Sequence, residues 1–140
     1  MIKVVMADDH QEVRNAWSDF LRRFKTIEIV GICSDGDEVL ERVRDLQPDV
    51  VLMDINMKRM SGIEATGIIS KKWPSVRVIA ISAHNGEGYV KAMIDAGASG
   101  FVTKSAIAQE LVQAIHAVYE GKSYICEELK KKWGQKAQAE

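Results

Sequence analysis

Asp8 and Asp9 stand side by side directly after the apolar run IKVVMA (2–7). Three further runs end on, or just before, a reactive side chain. DVVLMD (49–54) ends in Asp54, VRVIAIS (76–82) ends in Ser82, and GFVT (100–103) is followed by Lys104. Neighbouring carboxylates make one another harder to ionise, and three held together would keep at least one protonated. A hard dication removes that conflict. Mg²⁺ takes oxygen ligands in an octahedron, commonly one or two carboxylates with waters and a phosphate. Carboxylates, Mg²⁺, a hydroxyl and an ammonium together suit phosphoryl transfer, which depends on charge placed around the transferring group. Asp54 is the expected nucleophile, since an aspartyl carboxylate can take up a phosphoryl group covalently.

Each residue alone has a plainer reading. Asp-Asp after a strand is often a helix cap, and a lone Asp there a turn residue. Ser82 alone is a cap, and Lys104 alone a solvated surface lysine. Their joint appearance at four strand ends outweighs these readings.

For the five side chains to meet, the elements must bring those ends to one edge. The runs at 2–7, 27–33, 49–54, 76–82 and 100–103 are rich in Val and Ile and lack in/out alternation. Strands covered on both faces read this way. Between them lie helical periods: Val13, Ala16, Trp17, Phe20, Leu21 and Phe24; then Val39, Leu40, Val43 and Leu46; then Leu111, Ala114, Ile115 and Val118. A helix over 87–96 should stop at Gly97, and a less regular one over 63–73, with Gly67 inside, should end before Pro74. The result is (βα)5, a doubly wound parallel sheet whose crevice lies outside the carboxyl ends of the strands.

The bulk numbers fit one ordinary domain. There are 140 residues, 46% hydrophobic and 28% charged, with a net charge of −1. Such a balance gives no nucleic-acid footprint, and no apolar run nears the ~20 residues of a membrane helix. The chain begins directly with a strand, so no signal peptide is expected. Cys33 and Cys126 belong to no CxxC pair and read as reduced thiols. A cytoplasmic location and no membrane partner are therefore expected.

The acid pair Asp8–Asp9, the segment VVLMDINMKRMSGIEA around Asp54, VIAISAH and AGASGFVTKS together resemble the receiver domain of bacterial two-component response regulators. GIEA, GASGFVTK and the late EGKSYI resemble its NarL/FixJ (LuxR)-type subgroup. The likeness covers about residues 1–122. It implies a flavodoxin-like, CheY-like fold with strand order 2-1-3-4-5. It implies Asp54 as phosphoacceptor, Mg²⁺ held by Asp9 and Asp54, by Asp8 through water, and by the backbone carbonyl of Asn56. Ser82 and Lys104 would bind phosphoryl oxygens. Phe101 matches the aromatic switch position, with a permanently buried core residue as the plainer reading. Asn56 and His84 occupy the two positions that tune phosphoryl lifetime. Phosphorylation would draw Ser82 and Lys104 inward and reshape the face made by the fourth helix, fifth strand and fifth helix. The implied partners are a sensor histidine kinase and a second copy of the chain docked through that face.

The chain departs from the family pattern in three places. Lys58 stands where proline is frequent and adds a cation to the loop, or simply faces water. Ser105 follows Lys104 where proline is common, so a trans bond is expected. Residues 123–140 form a charged tail or the start of a linker, too short for a DNA-binding domain. The expected context is therefore the N-terminal part of a transcriptional regulator, with a stand-alone receiver as the alternative. The expected activity is self-directed phosphotransfer and autodephosphorylation, without ordinary turnover. A small-molecule aspartyl-phosphate phosphatase is the enzyme alternative, yet DINMK lacks the second Asp such enzymes use. A flavin or nucleotide module would need a Gly-rich loop after the first strand, where the acid pair stands. A docking module without phosphorylation would not need the five-residue set.

Overall fold

A computed structural model of the chain describes residues 1–57, 59–83 and 87–130. The elements alternate as the apolar runs predict. They are β1 (Ile2–Ala7), α1 (Gln11–Leu21), β2 (Ile27–Cys33), α2 (Gly36–Leu46), β3 (Val50–Asp54) and α3 (Gly62–Lys72). There follow β4 (Arg77–Ser82), α4 (Glu87–Asp95), β5 (Gly100–Thr103), a 3₁₀ turn (Lys104–Ala106), α5 (Ile107–Tyr119) and β6 (Tyr124–Ile125).

All strands run parallel in the order β2-β1-β3-β4-β5-β6. Every residue of β3 is buried, and only Arg77 of β4 reaches the surface. Continuous Val/Ile-rich runs suit these central strands because helices cover both faces. Edge strand β2 is only partly buried along its middle.

The helices close over the sheet through most of the predicted stripes, although Ala16 of α1 is exposed and Phe24 lies past the helix end. Leu111, Ala114, Ile115 and Val118 of α5 are fully buried, as are Val39 and Val43 of α2. Burying such an aliphatic side chain contributes about 1.5–3 kcal/mol. Leu46 ends its stripe at the helix terminus and stays 39% exposed. Asp35 caps α2 by accepting the Glu38 N–H at 2.9 Å, and Ser61 caps α3 through Glu64 N–H at 3.2 Å. Gly97 ends the α4 segment at φ 105°, the left-handed geometry expected of a C′ glycine.

The sheet differs from the expected five strands by one. Tyr124 N–H donates to Ser99 O and Cys126 N–H to Phe101 O, both at 3.0 Å. This lays β6 beside β5, with Phe101 opposite Ile125. Residues 127–130 are helical, and Cys126 and Leu129 are buried. The packed chain thus continues past the boundary read at residue 122. Its driving force is the apolar set Tyr124, Ile125, Cys126 and Leu129 within an otherwise charged stretch.

Candidate functional site

Parallel strands end at one edge, so the residues that follow them converge there. Asp8 follows β1, Asp54 closes β3, Ser82 closes β4, and Lys104 follows β5. Ser82 stands opposite Thr103, the residue before Lys104. Asp8, Asp54 and Ser82 are all buried, at 0%, 3% and 2% exposure.

Lys104 Nζ lies 3.1 Å from Asp8 Oδ2 and 3.9 Å from Asp54 Oδ2. One ammonium thus faces two buried carboxylates. Asp9 is less enclosed, with 18% of its side chain exposed. Asp8, Asp9, His10 and Asp54 each offer a ligand atom within 4.8 Å of the others. Asp8 Oδ2 and Asp9 Oδ1 are out of water and accept no well-aligned hydrogen bond. The nearest side-chain nitrogens are the Lys104 Nζ for the first and the His10 Nδ1, 2.8 Å away, for the second. Carboxylate oxygens lacking hydrogen bonds in a tight cluster fit a hard, oxygen-seeking dication.

Asp54 shows the electrostatic tension. Burial, and then the Asp8 charge, push its carboxyl up from 3.8 to about 6, against the pull of Lys104 and of the Asn56 N–H. That amide is 3.4 Å from Asp54 Oδ1. Burial is the main cause because it disfavours the ionised form.

Local sequence explains the positioning. Gly62 begins α3 against the Asp54 backbone, where a Cβ would collide with the Asp54 carbonyl. Its N–H donates to Ile55 O at 3.0 Å, folding the loop back beneath Asp54. Asp8 is fixed by its own N–H to Cys33 O at 3.1 Å, and its Oδ1 accepts the His10 N–H at 2.8 Å.

The structure therefore brings together Asp8, Asp9, Asp54 and Lys104, with Ser82 placed at the same rim by strand register. Phe101 lies in the core at 1% exposure. Asn56 is exposed, and its backbone N–H, not its side chain, donates to Asp54 Oδ1. Lys58 and His84 lie outside the described residues. The peptide bond after Lys104 is trans, as expected without proline. Two neighbours of the site went unread in the sequence. His10 reaches both Asp8 and Asp9 through Nδ1, and Arg14 Nη1 donates to the Asp8 carbonyl at 2.7 Å. The adjacency of His10 to the acid pair was the only available signal for the first; the second depends on turn geometry.

Fold and pocket together define a flavodoxin-like domain of the CheY type with its acidic cluster at the carboxyl ends of the strands. Residues 4–116 match the family described as response regulator receiver domain. The response regulator GacA of Pseudomonas syringae pv. syringae is 38% identical over 125 residues, covering 89% of this chain and 58% of that protein. The transcriptional regulatory protein DegU of Brevibacillus brevis is 38% identical over 124 residues, covering 89% and 52%. A crystal structure of a LuxR-family two-component response regulator from Aurantimonas sp. SI85-9A1 superposes with a TM-score of 0.93 at 30% identity, covering 98% of each chain. This chain belongs to the response regulator receiver domains, in their NarL/FixJ-type branch. It spans just over half the length of the curated relatives it matches.

Proposed function

We propose that this domain is a phosphorylation-dependent switch that takes a phosphoryl group from a sensor histidine kinase onto Asp54. The observation that carries the reading is the Lys104 ammonium set between Asp8 and Asp54 beside Asp9. In the transfer, an ionised Asp54 oxygen forms the new P–O bond while the donor's P–N bond breaks, its electron pair staying on the imidazole nitrogen, which takes up a proton from solvent. Lys104 turns from Asp8 toward the new negative charge, and the Ser82 hydroxyl donates to a phosphoryl oxygen. Asp8, Asp9, Asp54 and the Asn56 carbonyl would hold Mg²⁺. When bound, that ion neutralises carboxylate and phosphoryl charge at the rim.

The phosphoryl group adds about two negative charges where Lys104 ends β5. Drawing Lys104 and Ser82 inward changes the space around Phe101, and with it the face of α4, β5 and α5. That face serves a partner or a second copy of the chain. Hydrolysis of the acyl phosphate resets the switch, at a rate tuned at positions 56 and 84. By analogy with the longer relatives, the domain acts as the N-terminal part of a transcriptional regulator, with DNA contacted by a separate domain.

Intact mass after incubation with Mg²⁺ and acetyl phosphate tests this. One phosphoryl group, about 80 Da, should add to the wild type only with Mg²⁺ and not at all to Asp54→Asn. A gain that survives Asp54→Asn would identify a different acceptor. Catalytic turnover of small phosphate esters would instead favour a phosphatase.

A further inference from the structure

We infer that Arg14 is a positioning residue for the cation-binding carboxylates, acting through the backbone of Asp8. The inference rests on the cation reading of the acid cluster.

Three observations lead to it. Arg14 Nη1 donates to the Asp8 carbonyl at 2.7 Å, six residues back along the chain. A charge-assisted bond of this length is among the stronger kinds a backbone carbonyl accepts. That carbonyl belongs to the peptide joining Asp8 to Asp9, so fixing it fixes the plane from which Asp9 departs. Second, the N-cap residue of α1, His10, makes no side-chain cap bond. The helix's first backbone bond, from Arg14 N–H to His10 O at 3.1 Å, comes from Arg14 as well. Arg14 thus ties the first turn of α1 to the end of β1 through both backbone and side chain. Third, every other polar atom of Asp8 has a polar neighbour. Its N–H binds Cys33 O, its Oδ1 binds the His10 amide, and its Oδ2 faces Lys104. The guanidinium completes that set, leaving Asp9 with a fixed base and a partly open side chain.

The sign of the effect separates positioning from charge. Arg14 is a cation near a cation site, so by Coulomb's law its removal should tighten Mg²⁺ binding. Positioning predicts the reverse, because residues that orient metal ligands typically contribute tenfold or more in affinity. The test is a calorimetric Mg²⁺ titration of wild type, Arg14→Gln and Arg14→Lys, with thermal melts in EDTA to confirm that each is folded. Arg14→Gln should weaken Mg²⁺ binding about 10-fold. Arg14→Lys, keeping the charge but losing the planar fork, should fall between. Saturating Mg²⁺ should restore the phosphorylation rate of Arg14→Gln with acetyl phosphate, since Arg14 touches no reacting atom. Unchanged or tighter Mg²⁺ binding in a folded Arg14→Gln would overturn the role of Arg14 alone. A wild type that binds no Mg²⁺ would overturn the cation reading and this inference with it.

Discussion

The ionised Asp54 carboxylate is less stable in the folded chain than in the unfolded one. Its folded carboxyl ionises near 6 instead of 3.8, mainly because it is buried. Between those values the folded state keeps a proton that the unfolded chain has released. Stability therefore falls as pH rises from about 4 to 6, and the whole penalty is present above 6. In the absence of divalent cations, Asp54→Asn should be more stable than wild type at pH 7.5. After allowance for solvent screening, the gain should be about 1–2 kcal/mol. It should vanish below about pH 4, as read by urea unfolding across that range. An unchanged gain at low pH would mean that the Asp54 charge is not its source. Asp8, Asp9, Asp54, Ser82 and Lys104 were legible in the sequence because each stands at the end of an apolar run. Arg14 was not, because its partner is a backbone carbonyl and no spacing rule marks it.

Among the elements, β6 is the one the sequence hid. Two paired residues give no period to detect, and the flanking EELKKK reads as solvated surface. Only the folded chain shows Tyr124 OH donating to Glu110 Oε1 at 2.7 Å and Glu127 N–H reaching the same oxygen at 3.1 Å. One α5 carboxylate therefore clamps the final segment from two sides. Burial and that carboxylate also push the Tyr124 phenol up, holding its proton in the bond. Leu129→Ala should cost about 2–4 kcal/mol in urea unfolding, the usual range for a buried leucine. A neutral substitution would mean that the fold's stability ends with α5. The other elements were legible because their buried stripes are long. The α5 stripe of Leu111, Ala114, Ile115 and Val118 emerged as read, while Leu46 emerged exposed because periodicity says nothing about where a helix ends.

For the whole molecule, the doubly wound sheet gathers at one rim side chains that lie up to about a hundred residues apart in the chain. The same gathering concentrates like charge, so a bound cation should stabilise the fold as well as the site. Mg²⁺ at ten times its dissociation constant should add about 1.4 kcal/mol, or roughly 4 °C in Tm for a domain of this size. A smaller rise in Asp54→Asn, seen by differential scanning calorimetry, would tie the effect to the pocket; an equal rise would place the ion elsewhere. The parallel direction of β6 has a consequence of its own. Because β6 runs with β5, residues 126–130 emerge at the carboxyl rim, the side on which Asp54 lies. The last described segment therefore leaves the sheet on the same side as the acidic cluster.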